Sequence, residues 1–191
     1  KEECQRSLRR LRLECIDLYQ VHVPDPEVPY EDTVGAFVDL QKEGKIRHIG
    51  VSNVTMEQLE LAESICDVVS VQNAYNVARR DAEHLLQHCV ARGVVFIAHS
   101  PNILSMRVVP YGATGTVEPS ISPAEALVSQ IAAAHGVSSQ QVAVSWLLAH
   151  SPQLVAIPGT SSSAHADDNI GTAWLTLTED ELARLDAVER S

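Results

Sequence analysis

An α/β fold, a parallel sheet with helices on its outside, is the architecture this sequence predicts, with five strand and helix units as one domain over residues 1–191. Two observations carry that expectation. Short apolar, β-branched runs alternate with longer segments of helical periodicity, and each run ends on polar residues before the next helix begins. Neither a Gly-x-Gly-x-x-Gly fingerprint nor a Gly-x-x-x-x-Gly-Lys loop follows any of the runs, so a Rossmann domain and a P-loop are both disfavoured.

The elements follow in order. Residues 2–12 are charged, with Leu8 and Leu11 at inward spacing, as at the end of a helix. Ile16 to Val23 reads as a buried strand that delivers His22 to a strand's C-terminal end, just before Pro24-Asp25-Pro26. A histidine there can serve proton chemistry or act as a hydrogen-bonded structural residue, and position alone leaves both readings open. Glu31 to Glu43 places Val34, Phe37, Val38 and Gln41 on a helix that stops at Gly44. Ile46 to Val51 is the second strand, closed by Ser52-Asn53, and Thr55 with Gln58 forms a capping box that opens the next helix. Val68 to Val71 is a third strand ending in Gln72-Asn73. A helix over Asp81 to Arg92 with Leu85, Leu86, Cys89 and Val90 on one face follows, and Gly93 ends it.

Val94 to Ala98 is the fourth strand, running into His99-Ser100-Pro101 and a long connection from Asn102 to Ile121. Met106, Val108, Val109 and Tyr111 in that connection suit either one wall of an apolar substrate pocket or ordinary surface packing. Ser122-Pro123-Ala124-Glu125 combines a cap, a first-turn proline and a capping glutamate, predicting a helix from Pro123 to His135. Ser138 with Gln141 opens another, bearing Val142, Trp146 and Leu147. Leu154 to Ile157 is the last strand, followed by Pro158-Gly159-Thr160, a short helix near His165 to Ile170, and a final amphipathic helix opened by Thr178 with Glu181.

Composition narrows the function. A formal charge of -11 would repel phosphate backbones and anionic lipid surfaces, so neither nucleic acid nor membrane is an expected partner. No apolar run approaches the ~20 residues of a membrane span, and a reduced cytoplasm is the expected compartment. Cys4, Cys15, Cys66 and Cys89 are too widely spaced for a zinc site or a disulfide framework. His84 and His88, four apart on one helix, lack the acidic partner of a zincin pattern and read as surface histidines beside Leu85 and Leu86, so no metal is expected. The opening Lys1-Glu2-Glu3-Cys4 is already helical in pattern, which reads as part of a longer protein.

Singly, the polar strand ends are what turns and helix caps use. Together, His22, Ser52-Asn53, Gln72, His99-Ser100 and Gly159-Thr160-Ser161 would converge at one end of a barrel. The chain resembles the C-terminal part of an aldo-keto reductase, and the resemblance implies an α/β fold of the (β/α)8 TIM-barrel type of which this chain supplies the C-terminal five strand and helix units. The matching residues are Leu8-Arg9-Arg10-Leu11 with Ile16 to His22, Gly44 to Arg47 with Ile49 to Asn53, Val71 to Asn76, Ala98 to Pro101, and Ile157 to Ser161 with Asp168-Asn169.

The resemblance implies a reductase that transfers hydride between a nicotinamide cofactor and an aldehyde or ketone, or runs the reverse alcohol oxidation. It places His22 as the active-site histidine that orients and polarises the carbonyl. Ser52, Asn53 and Gln72 then bind the carboxamide, and the Ser100 loop closes over the pyrophosphate. Gly159, Thr160 and Ser161 form the adenosine-phosphate pocket, with His165, Asp168 and Asn169 at the 2'-phosphate and adenine. His99 stands where the family usually has a tyrosine stacked on the nicotinamide. His165 stands where an arginine is frequent and Gly159 where some members have a lysine; NADP(H) is favoured over NAD(H).

The family's catalytic tyrosine, lysine and aspartate precede the strand that carries His22, so this chain alone is expected to have negligible reductase activity. A dimer, or an N-terminal half, is expected to cover the open sheet edges. The alternatives are a non-catalytic nucleotide-binding or assembly subunit and a truncated, inactive gene product.

Overall fold

In the computed structural model, which describes residues 1–101 and 121–188, five strands alternate with helices and follow one another in chain order across a parallel sheet. The chain divides into two compact units, Lys1–Asn73 with His84–Phe96, and Ala74–Glu83 with Ile97–Ser191.

The first unit holds α1 (Glu2–Leu11), β1 (Ile16–Val21), α2 (Tyr30–Lys42), β2 (Ile46–Ser52), α3 (Met56–Ile65), all but the last residue of β3 (Val68–Ala74), α4 (Glu83–Arg92) from His84 onward, and the start of β4 (Val95–His99). β1 pairs in parallel with β2, Ile16 beside Ile46 and Val21 beside Val51, and β2 pairs in parallel with β3. Cys4 and Leu8 of α1, Leu40 of α2, Ile16 of β1 and Ile46 and Ile49 of β2 form one buried cluster, with Tyr19 and Phe37 stacked at its side, ring centroids 5.3 Å apart. Each large aliphatic side chain removed from water this way contributes about 1.5–3 kcal/mol.

In α1, Leu8 is buried but Leu11, expected inward, is 57 % exposed. The helix stops at that residue, and Arg12 turns into the left-handed region at φ 58°. Val90 likewise leaves the apolar face of α4, where Leu85, Leu86 and Cys89 are buried. The Gln41 side chain donates to the Arg47 carbonyl at 2.8 Å, while Leu40 supplies the buried contact on α2.

The second unit holds the rest of β4, α5 (Pro123–His135), α6 (Ser139–His150), β5 (Leu154–Ala156), α7 (Ser163–Gly171), a 3-10 turn at Thr172–Trp174, and α8 (Glu179–Ala187). The Ile157 amide donates to the Ala98 carbonyl at 3.1 Å, where the chain leaves β5 beside β4. Capping boxes open α5, α6 and α8 in this unit and α3 in the first, each with both reciprocal hydrogen bonds present. Gly136 ends α5 at φ 66°, a conformation that favours a residue without Cβ. From Val142 to Leu147 every residue of α6 is buried, a helix surrounded by protein, because Val-Ala-Val-Ser-Trp-Leu presents no charged face.

Candidate functional site

In the first unit the polar strand ends meet through hydrogen bonds. β1 ends at Val21, so His22 is the first residue beyond it, and it is exposed. Asn53, just past β2, adopts the left-handed region at φ 55°, which asparagine tolerates better than most side chains. Its amide Nδ2 donates to the His22 carbonyl at 2.9 Å and to Ser52 Oγ at 3.1 Å, while its backbone N–H donates to the Gln72 carbonyl at 2.9 Å. Ser52 is fully buried and paired in register with Gln72, which lies within β3 because that strand extends to Ala74. His22, Ser52, Asn53 and Gln72 therefore form one connected group.

Below this group a layer of side chains crosses three strands. Gln20 pairs with Gly50 and Gly50 with Ser70, and the Gln20 amide donates to Ser70 Oγ at 3.2 Å, passing over the glycine. Tyr19 and Val21 alternate to the opposite face, where they line, with His22, Val28, Phe37 and Leu40, a mostly apolar cavity of about 500 Å³. This cavity opens on the helix side of β1.

In the second unit, His99 ends β4 and its carbonyl accepts from the Tyr75 amide at 3.3 Å. Ser100 is left-handed at φ 52°, and its carbonyl accepts from Asn76 Nδ2 at 2.9 Å. His99 Nδ1 lies 3.2 Å from Ser100 Oγ. Gly159, Thr160 and Ser161 are exposed ahead of α7. Thr160 Oγ1 accepts from the Ser162 amide at 3.0 Å, a turn that delivers the chain to the helix. Unlike the four boxed helices, α7 has no side-chain cap hydrogen bond and no acidic residue in its first turn. Its first amides can therefore meet an anion without a competing carboxylate. His165 is exposed, and Asp168 and Asn169 are half-buried on this helix. Asn169 Oδ1 accepts from Gln140 of α6 at 2.9 Å.

Asn73, Asn76 and Gln140 are not among the expected site residues; Asn76 and Gln140 hold Ser100 and Asn169, which are, while Asn73 holds the backbone of Val54, the residue after Asn53. For Asn73 and Asn76 the sequence offers only the polar run Gln72-Asn73-Ala74-Tyr75-Asn76 at the end of an apolar strand, which suits a turn equally, and for Gln140 it offers no signal. The loop residues Met106, Val108, Val109 and Tyr111 lie outside the described residues.

Several other reactive groups are accounted for structurally. Burial pushes the Cys89 thiol up to about 12 and also raises Cys4 and Cys66, which disfavours their thiolates. All four cysteines are free thiols. His88 lies 3.0 Å from the Glu63 carboxylate, which Arg92 also meets at 3.3 Å, while His84 is exposed. Among the described residues no group of three or more His, Cys, Asp or Glu could hold a metal ion, and no helix is long and apolar enough to cross a membrane.

The family model described as "Aldo/keto reductase family" matches residues 1–190. The chain belongs to the aldo-keto reductase family. It is 35 % identical to an uncharacterized oxidoreductase of Schizosaccharomyces pombe, across 100 % of this chain and 58 % of that protein. It is 34 % identical to pyridoxine 4-dehydrogenase of Escherichia coli, across 96 % of this chain and 61 % of the relative. Among solved structures, the thermostable aldo-keto reductase Tm1743 superposes with a TM-score of 0.82 at 33 % identity, covering 97 % of this chain and 64 % of that one. An aldo-keto reductase from Klebsiella pneumoniae in complex with NADP and acetate gives 0.79 at 29 % identity, over 97 % of this chain and 62 % of its own. This aldo-keto reductase chain thus spans about three fifths of the length of these relatives, 58 % and 61 % for the two curated ones. The likeness supports the TIM-barrel class of its strand and helix units.

Proposed function

We propose that this chain is the cofactor-binding, histidine-bearing part of an NADP(H)-dependent oxidoreductase that interconverts a carbonyl compound and its alcohol. The connected group His22, Ser52, Asn53 and Gln72 carries this reading. A carboxamide requires both acceptors for its NH2 and donors for its oxygen, and a serine hydroxyl beside two primary amides offers both without introducing charge. Bound there, a nicotinamide would supply or accept the hydride.

Within that group His22 is held through its own carbonyl by Asn53. Its imidazole would orient a substrate carbonyl by hydrogen bonding to the oxygen. Tyr30 and Tyr75 are buried phenols pushed upward, Tyr30 to about 12, and are poor candidates for the proton donor. The resemblance assigns that role to a tyrosine outside this sequence. Accordingly, we expect negligible turnover of a generic aldehyde by the chain alone.

In the second unit, the open first turn of α7 and the exposed Gly159-Thr160-Ser161 segment suit a phosphate, and the NH2 of Asn169, whose oxygen Gln140 engages, is the donor a ring nitrogen would require. The preference for NADP(H) rests on the NADP bound to the Klebsiella pneumoniae relative. The test is titration of NADPH fluorescence. Saturable binding is expected, with Gln72→Ala weakening it about tenfold through loss of charge-free hydrogen bonds. Competition by 2',5'-ADP should exceed that by 5'-ADP. A wild-type chain that leaves NADPH fluorescence unchanged overturns the reading.

A further inference from the structure

We infer that Asn73 is a positioning residue for nicotinamide binding, acting through the backbone of Val54 to hold Ser52 and Asn53 in place. The inference rests on the cofactor reading above and assigns a role to a side chain that would not touch the cofactor.

The geometry is a two-point clamp. Asn73 Oδ1 accepts from the Val54 amide at 3.2 Å, and Asn73 Nδ2 donates to the Val54 carbonyl at 2.9 Å. One side-chain amide thus satisfies both polar groups of a single peptide residue, as a neighbouring strand would. The clamp is needed here because regular β2 pairing ends at Ser52 beside Gln72, and the next residue, Asn53, turns to φ 55°. A left-handed bend in a residue with a Cβ is a sparsely populated state that persists only where its surroundings over-determine it.

Asn53 is fixed on one side by its own amide on the Gln72 carbonyl at 2.9 Å and on the other by Val54 in the grip of Asn73. With both sides fixed, the Asn53 side chain is aimed at the His22 carbonyl and Ser52 Oγ. Asn73 follows Gln72 directly, so the same strand end carries one proposed ligand of the carboxamide and the clamp that orients two others. Releasing the clamp would let Asn53 relax toward the β region and withdraw its amide from the cluster, leaving ligands present but misdirected.

This differs from a general stabilising role in what it spares. A ligand that carries only the adenosine and phosphate half has nothing to gain from Ser52, Asn53 and Gln72. We expect Asn73→Ala to weaken NADPH binding about tenfold, from the loss of two hydrogen bonds to the bend, while 2',5'-ADP binds within about twofold of wild type. Should Asn73→Ala fail to fold, Asn73→Asp replaces it: it keeps an acceptor for the Val54 amide, loses the donor to the Val54 carbonyl, and should show the same selective loss.

Amide hydrogen exchange at Val54, whose N–H the clamp occupies, should accelerate in Asn73→Ala without a matching change in the core of β2. Three outcomes decide the matter. Selective loss of NADPH affinity with faster Val54 exchange supports the clamp. Equal loss of NADPH and 2',5'-ADP affinity, or none in either, overturns it while leaving the cofactor reading intact. Absence of NADPH binding by the wild-type chain overturns the cofactor reading, and the clamp's role in binding falls with it.

Discussion

Trp146→Ala is expected to destabilise the chain by about 3–5 kcal/mol, the cost of emptying a large, fully enclosed aromatic site. The indole is the centre of a compact assembly in the second unit. Tyr75 stacks against it at 5.8 Å, the His150 ring lies 4.3 Å away, and the Arg80 guanidinium sits 4.6 Å above its centroid. Its Nε1 donates to Asp186 Oδ1 at 2.8 Å, next to the C-terminal end of α8.

Arg80 is only 7 % exposed, and its guanidinium donates to the carbonyls of Val77, Leu185 and Asp186. A cation there satisfies orphan carbonyls at the end of a helix and is favoured by the helix dipole. Alanine at 146 would remove the ring beneath the guanidinium and the donor on Asp186 together, so the loss should exceed that of a buried leucine. Urea unfolding measures it through the shift in midpoint, and exchange in the last turn of α8 should rise first. A loss below about 1 kcal/mol would show that the surrounding rings close over the gap.

Trp146 also illustrates what the sequence made legible. Its place on a helix opened by Ser138 with Gln141 was expected, and the capping boxes at Thr55, Ser122, Ser138 and Thr178 followed from local rules, because a cap is written within four residues. The grouping of His22 with Ser52, Asn53 and Gln72 was expected only jointly, from polar residues recurring at the ends of apolar runs. The clamp by Asn73, the hold of Asn76 on Ser100, and the contact of Gln140 with Asn169 were not legible. Each joins residues whose spacing carries no period, and an asparagine at a strand end is equally suited to a turn. Exposed Leu11 shows the complementary failure, in which an apolar pattern continues past the residue where the backbone turns away.

Gly50→Ala is expected to cost about 1–3 kcal/mol, and Gly50→Val more, because an added Cβ would overlap Ser70 Oγ and lie 2.9 Å from Gln20 Cγ. The hydrogen bond between Gln20 and Ser70 spans the space that glycine leaves open between neighbouring strands. A side chain at 50 must therefore displace the serine hydroxyl, and the Gln20 amide then loses its partner in a half-buried layer. The signature is coupling. In a Ser70→Ala background the obstructing oxygen is already gone, so Gly50→Ala should cost less there than in the wild type, by about 0.5–3 kcal/mol in a double-mutant cycle of unfolding free energies. Strict additivity would mean that β2 moves as a whole to make room. Such movement would carry Ser52, two residues further along the same strand, out of register with Gln72. NADPH affinity measured on the same variants separates the cases: with coupling, Gly50→Ala in the Ser70→Ala background binds nearly as the Ser70→Ala variant does, whereas a moving strand weakens binding in both backgrounds.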